Sequence, residues 1–595
     1  MLNGFTARPA RAETWAALLA LAYFIAISAL AMLQHATFHT RARDMGIYAQ
    51  VLWNTAHGRP LASTLLADNS LHVAEHVAPV LAVIAPLYAL WPEPMLLLGI
   101  QQACLAAAGF VLFRWAHREC GAAAAFAVMA GYFAMPAMSR VALSEFHPVV
   151  MAALPVALGL SAALSGRLRA SVAWLLVSLL FEEETAPIVG TVGAYLLLGR
   201  RARSGLAVGA LAVCWLGLAA LVAMPAFQER GRGLRDVGRA AGHFDQVREN
   251  PGLLAEWLTG ERGAEAALWL IAPTAGTALL APEITALAIP TFAILFAQDR
   301  EGTYAGHWSA PMLPILWFAA ARGIRRLRGA PRGALLSRAV VAGLALASTL
   351  GYWRFSIFPG GRGFDADRFE WTERSEALAR AGTLISADAR LDASRFAVPH
   401  LAHRPEVYQF PSTFYSAPMR PDLARIDTFL LDLTDTPTRR ALDATDQDTV
   451  ATRRPRMHVW SLSQDVVLLT RARPTTDPTP IATYGDALSW AAVRSTPHGA
   501  EQELLLYWEV LARPGPWLRT LQVTDAAGNV VLERRDAPLD EILPVTRWER
   551  GQVIVERIIV PSSRADLTAH VAWVHPAGSQ IPVSNGTPSF ALNNR

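Results

Sequence analysis

The chain has 595 residues, 53% of them hydrophobic and only 17% charged, with a mean hydropathy of +0.27. A soluble chain of this length carries about a quarter charged residues, so the composition is that of a membrane protein. The net charge of +4 is small and evenly spread, which excludes a nucleic-acid binder; all 53 basic residues are arginine, which excludes Schiff-base lysines, a phosphate-loop lysine and a lysine general base.

Arg8 and Arg11 precede an apolar run over 14–33. The run is long enough to span a bilayer and lacks a small-residue cleavage site, so it reads as a retained helix rather than a cleaved signal. Further apolar segments follow near 94–116, 121–139, 148–165, 168–181, 185–199, 204–226, 265–281, 283–298, 308–322 and 336–353. The expectation is about eleven crossings. The stretch 77–90 is short and contains Pro79 and Pro86, so it reads as a helix lying in the interface. With a cytoplasmic N-terminus, four arginine clusters fall inside: Arg114 and Arg118; Arg167 and Arg169; Arg200, Arg201 and Arg203; Arg322, Arg325, Arg326 and Arg328. Cys104, Cys120 and Cys214 form no CxxC pair, so neither a zinc knuckle nor a disulfide framework is expected.

That orientation sends acids and histidines to the opposite face. Asp44, His72, Glu75 and His76 fall in the first outer loop, Glu145 and His147 in SEFHP, Glu182, Glu183 and Glu184 in FEEE, and His307 in YAGHW. Ionisable residues at membrane depth are costly and mark functional sites by default, although polar helix ends facing water give the same pattern. Asp44 is either a solvated acid paired with Arg41 or Arg43, or a general base or metal ligand beside a lipid substrate. His72, Glu75 and His76 match the HxxEH pattern of a zinc protease, but the proline three residues on argues against a long ligand helix. Arg230, Arg232, Arg235 and Arg239, in the later outer loop 228–262, either line one side of a substrate-binding helix or form a salt-bridged surface with Glu229, Asp236 and Asp245.

The runs RDMGIYAQVLWNTAHGRP, NSLHVAEHVAPVLAVIAPLYALWPEPMLLLGIQ, SEFHP, FEEE and YAGHWSAP, in this order over about 38–320, resemble a bacterial membrane-protein family known as domain of unknown function 2079. That family is grouped with the GT-C glycosyltransferases, multi-spanning enzymes that transfer sugars from polyprenyl-phosphate donors outside the membrane. The resemblance implies a GT-C-like helical domain over 1–355 and places Asp44 where that superfamily carries its catalytic base or metal ligand. His76, Glu145, His147, Glu183 and His307 fall on family motifs: Glu145, His147 and Glu183 are read with Asp44 as catalytic, and His76 and His307 with Arg230, Arg232 and Arg235 as substrate-binding. A second loop acid, Glu75 or Asp68, stays open.

Beyond the Gly/Pro-rich stretch FPGGRGF the composition turns soluble. Residues 366–473 read as an α/β domain, with a helix in TERSEALARAG and buried strands in TFLLDLTD and DVVLLTR. His400 and His403 there read as packing residues. After a second linker signal, RPTTDPTP, residues 480–595 alternate in period two and read as an all-β sandwich. Trp508, Trp517 and Trp548 read either as core or as a sugar-stacking platform.

The reading is therefore a mainly α, multi-pass protein of a bacterial inner membrane, with a cytoplasmic N-terminus and extracytoplasmic α/β and β domains. Its expected activity is inverting transfer of a sugar from a lipid-linked donor to a glycan or protein acceptor, with a divalent magnesium or manganese ion as the admissible cofactor and no nucleic acid as partner. The rivals are a non-enzymatic transporter or flippase of lipid-linked glycans, for which the chain shows no convincing internal repeat, and the zinc protease.

Overall fold

The computed structural model describes residues 11–66, 71–227, 250, 252–297, 305–411, 425–443, 457–474, 478–494, 501–539, 543–562 and 566–591. Contacts divide the chain into two units, residues 1–370 and 371–595.

The first unit is helical. Among the described residues, four helices are long and apolar enough to cross a membrane: Arg11–Ala36, Pro94–Ala134, Ala202–Phe227 and Leu335–Phe355. The count of about eleven crossings is not supported, and length is the reason. Pro148–Leu164, Leu168–Ser178 and Pro282–Phe296 are apolar but have fewer than 18 residues, against the roughly 20 a straight crossing needs. The stretch 265–281 is broken where Ala275 and Gly276 take φ 48° and 69°. In the stretch 77–90 the helix Val80–Leu90 has only 11 residues with Pro86 inside it.

The 41-residue run Pro94–Ala134 is itself interrupted at Gly121, with φ 77° and ψ 171°. Its two arms fold back on each other. The Phe113 and Phe126 rings lie 4.8 Å apart, and a Cβ on Gly109 would sit 2.4 Å from the Phe133 ring. In one straight helix Gly109 and Phe133 would be about 36 Å apart. Close backbone approach recurs between the helix Ala186–Leu198 and the one that follows it: a Cβ on Gly193 would meet the Gly209 backbone nitrogen at 2.7 Å. Small residues let these two helices pack without side chains between them.

The second unit is rich in β-structure, and its strands fall in two sheets. In chain order they are β1 (Leu391–Ser394), β2 (Val407–Phe410), β3 (Thr428–Asp432), β4 (His458–Ser461), β5 (Val466–Thr470), β6 (Ala482–Tyr484) and β7 (Leu488–Arg494). Then follow β8 (Gln502–Val510), β9 (Leu518–Asp525), β10 (Val530–Asp536), β11 (Val553–Val560), β12 (Leu567–Val574), β13 (Val583–Gly586) and β14 (Ser589–Ala591). Ten strands form one sheet in the order β13-β6-β7-β8-β11-β4-β5-β3-β1-β2, and β10-β9-β12-β14 form the other. β1 pairs in parallel with β2 and β3, and β11 with β4. The boundary expected at 473–480 falls within one sheet: β4, with β5 beyond it, pairs with β11 in the sheet that also holds β6 to β8.

Local chemistry accounts for these elements. The helix Glu373–Leu384 starts at Thr372, whose hydroxyl accepts from the Ser375 N–H at 3.3 Å, as an N-cap does. Strand β3 (TFLLD) is buried along its whole length, whereas β9 (LRTLQVTD) alternates between half-buried and buried residues, as a strand with one covered face should. Trp490, Trp508, Trp548 and Trp573 fill the core. Trp508 and Trp548 are wholly buried, so of the proposed stacking platform only Trp517 keeps partial exposure and the platform does not form.

Candidate functional site

Asp44 sits on a five-residue π-helical turn, Ala42–Gly46, between the helices Arg11–Ala36 and Ile47–Ala56. Such turns are rare and concentrate at functional sites. One residue from a second hairpin holds this turn in place. Glu145, between the helices Pro136–Ala142 and Pro148–Leu164, has φ 75°, a conformation that costs energy for any residue with a Cβ and persists only when its surroundings enforce it. Its carboxylate accepts from the Arg41 N–H at 2.9 Å and from the Met45 N–H at 3.1 Å, on either side of Asp44.

Gln101, from the first arm of the Gly121 hairpin, locks the other side of the same loop. Its amide donates to the Glu145 carbonyl at 2.6 Å and its carbonyl accepts from the His147 N–H at 2.8 Å. Gln102 donates to the Ala142 carbonyl at 2.7 Å. The signal for this clamp is the pair of adjacent glutamines in the otherwise apolar stretch 95–113, which sequence reasoning passed over.

With the loop fixed, His147 Nε2 lies 3.4 Å from Asp44 Oδ1. Its ring stacks on His307, from the short turn His307–Ser309, with centroids 3.5 Å apart and planes 12° apart. His147 Nδ1 is buried and has no hydrogen-bond partner. The Asp44 side chain stays about one-third exposed, whereas the His147 side chain is nearly covered.

Tyr48 links this group to a second one. Its ring lies 6.0 Å from His147 and 5.2 Å from His72, and its hydroxyl donates to Glu182 at 3.4 Å. Beyond it, Glu183 accepts from the Val77 N–H at 2.8 Å and pairs with His76 Nδ1 at 3.0 Å. One oxygen of Glu184 is buried without a partner. Among the described residues, His76, Glu183 and Glu184 bring ligand atoms within 4.8 Å of one another.

The charges in this cluster are sorted by burial and by neighbours. Burial pushes Glu145 up to about 8, and the Asp44 carboxylate adds to the push against the two N–H groups that favour ionisation. Burial also opposes ionisation of Asp44, but the hydrogen bond and charge of His147, with Arg41 and Arg43, outweigh it and hold Asp44 below the usual range. Burial holds His72 down to about 3 and, with His147 and His76 nearby, holds His307 well below its ordinary value. Both are neutral imidazoles at pH 7. His76 goes the other way: burial works against its charge, yet the Glu183 carboxylate raises it well above the ordinary value. Glu183 is correspondingly lowered in spite of burial, while burial pushes Glu184 up to about 7 and Glu182 well above the carboxylate range. A cluster that holds acids in such different states is suited to proton transfer or cation binding.

Six residues singled out from sequence thus meet in one region: Asp44, His76, Glu145, His147, Glu183 and His307. Arg230, Arg232 and Arg235, with Asp68, lie outside the described residues. The HxxEH reading does not form its motif. His72–Ala74 is a three-residue 3-10 turn rather than a ligand helix, and Glu75 is exposed. Gln101 and Tyr48 are the additions that sequence reasoning missed.

No curated protein matches the chain. A family model described as a predicted membrane protein, DUF2079, matches residues 34–460 and so covers every residue of this cluster.

Proposed function

From the premise that the chain belongs to the DUF2079 family of predicted membrane proteins, we propose that it is an integral membrane glycosyltransferase of GT-C type. The observation that carries this reading is the Asp44–His147 pair, 3.4 Å apart, about one-third exposed on the Asp44 side and held from behind by Glu145 and Gln101. A base must reach a substrate hydroxyl and yet be held in one geometry, and this pair meets both demands. The donor is a sugar on a polyprenyl phosphate, and the acceptor is a glycan or protein hydroxyl on the outer face of a bacterial inner membrane.

In the transfer, the acceptor oxygen attacks the anomeric carbon of the sugar. The bond from that carbon to the lipid phosphate breaks, its electron pair stays on the phosphate, and the hydroxyl proton passes to Asp44. His147 orients the carboxylate, and Glu145 and Gln101 fix the two loops that bring them together. His307 packs against His147 as a neutral imidazole and shields it from water. Arg230, Arg232 and Arg235 are assigned to the departing phosphate, where guanidinium forks match the oxygen geometry. Glu145 is committed to two backbone N–H groups, so Asp44 and His147 alone make a thin donor set for a divalent ion. Asp44 is accordingly assigned as base and not as metal ligand.

The reading places the N-terminus in the cytoplasm and residues 371–595 outside. It is tested with the purified full chain in proteoliposomes and a radiolabelled polyprenyl-phosphate sugar. Asp44→Asn should lower transfer at least about 100-fold, the range for loss of a general base, with unchanged protein abundance. Normal transfer by that variant would remove Asp44 from the base role. Movement of the labelled lipid across the bilayer without a new glycosidic product would replace the enzyme by a translocator.

A further inference from the structure

We propose that His76, Glu183 and Glu184 form a binding site for one zinc ion, distinct from the Asp44–His147 pair. The two groups of the cluster differ in what satisfies them. Around Asp44, the Glu145 carboxylate is engaged by backbone N–H groups and the imidazoles stack. Of the three consecutive glutamates, Glu183 pairs with His76, Glu184 brings an oxygen to the same place, and Glu182 meets the Tyr48 hydroxyl. Among the described residues no arginine pairs with any of the three. Proteins resolve such clusters with a partner charge, a retained proton or a metal.

Two independent observations point to an ion. The ligand atoms of His76, Glu183 and Glu184 all lie within 4.8 Å of one another. Separately, one oxygen of Glu184 is buried and has no hydrogen-bond partner, so it is available for coordination without breaking an existing contact. A tetrahedral zinc ion sits about 2.0–2.2 Å from nitrogen and carboxylate ligands, which puts its ligands about 3.4 Å apart. Side-chain movement of at most about 1.4 Å between any two ligand atoms closes the difference.

The donor set selects the metal. An imidazole nitrogen with two carboxylates suits zinc, while magnesium and calcium prefer all-oxygen shells and keep their waters. Three protein ligands leave a fourth position open, as in catalytic rather than structural zinc sites. Tyr48, whose hydroxyl meets Glu182 at 3.4 Å, borders the site next to the ligand Glu183. The inference stands apart from the transfer reading, because its readout is metal content and affinity, whatever the protein does with a sugar.

The experiment uses the full chain in detergent, stripped with a chelator and titrated with zinc, with manganese and with magnesium, metal content being read by mass spectrometry. One zinc per chain is expected, bound at least about 100-fold more tightly than magnesium. Glu184→Gln should weaken zinc at least about 10-fold, the range for a perturbed zinc shell, while the metal-free variant keeps the thermal midpoint of the parent because its free oxygen has no partner to lose. His76→Gln should abolish binding. Glu75→Gln, at an exposed neighbour, should leave it unchanged. No stoichiometric zinc, equal affinity for magnesium, or zinc lost in Glu75→Gln and retained in Glu184→Gln would each overturn the site.

Discussion

Buried acids are handled in opposite ways by the two units. In residues 371–595 they meet arginine. Arg519 is 1% exposed and pairs with Glu556 and Asp536, Arg557 joins Glu503 and Glu376, and Arg374 grips Asp432 at 2.6 and 2.9 Å. At the helix ends around Asp44 the partners are histidine, tyrosine, glutamine and backbone N–H. Arginine is available in both units, so the difference is one of use. A guanidinium is permanently charged and locks a carboxylate in its ionised form. Histidine and backbone partners leave the proton free to move or to be replaced by an ion. The first arrangement holds a fold together; the second holds a site ready.

The contrast can be broken most forcefully at Arg519. Arg519→Leu should destabilise the second unit by about 3–5 kcal/mol, because Glu556 is left buried with the Trp508 N–H but without a countercharge. Chemical unfolding of the full chain followed by tryptophan emission reads this loss. A triple apolar replacement of Arg519, Glu556 and Asp536 should recover most of it, and failure to recover would mean that the ion network does more than satisfy itself.

Asp392 departs from this pattern and sharpens the rule. It is wholly buried, both its carboxylate oxygens lack partners, and burial pushes it up to about 8. Its folded-state value lies above the unfolded value of about 3.9, so its contribution is fully present below about pH 4 and is lost as pH rises through about 8. Asp392→Asn should therefore flatten the fall in stability between those limits and stabilise the chain by on the order of 2 kcal/mol at pH 8. Unfolding midpoints across that pH range check the sign: a parent that grows more stable toward pH 8 contradicts it.

Smaller effects are expected at the helix-end cluster. Glu145→Gln keeps one carbonyl oxygen, which suffices because both N–H groups share a single carboxylate oxygen, so the melting temperature should report a loss of less than about 1 kcal/mol; a larger loss would mean that the charge, and not the acceptor, holds the turn. Tyr48→Phe removes a 3.4 Å hydrogen bond, long enough that less than about 1 kcal/mol should follow. A larger drop in melting temperature would mean that the phenol anchors the whole cluster.

Parts of this organisation were legible because they are local. The helix at TERSEALARAG, the strands at TFLLDLTD and DVVLLTR, and the gathering of SEFHP, FEEE and YAGHW at helix ends all follow from periodicity and from the cost of burying charge. The number of crossings was not legible, since an apolar run does not reveal that Ala275 and Gly276 will break it. Nor was the single ten-stranded sheet, because it depends on β4 meeting β11, whose residues are about a hundred positions away. Tyr48 and Gln101 escaped notice for a related reason: each looks ordinary in its own helix and acquires a role only against Glu182, or against Glu145 and His147, from elsewhere in the chain. His72 and His76 erred in the other direction, offering a familiar pattern on a segment too short to form it.

The reversal at Gly121 bears on how the site is assembled. With one residue between the arms there is no loop, and the end of the second arm returns beside the middle of the first, Phe133 against Gly109. Gln101, further along the first arm, is thereby brought to the segment that carries Glu145. A side chain at position 121 would face both a positive φ and the Arg328 guanidinium 3.3 Å away, so replacing this glycine should lower the yield of inserted protein before it alters any chemistry.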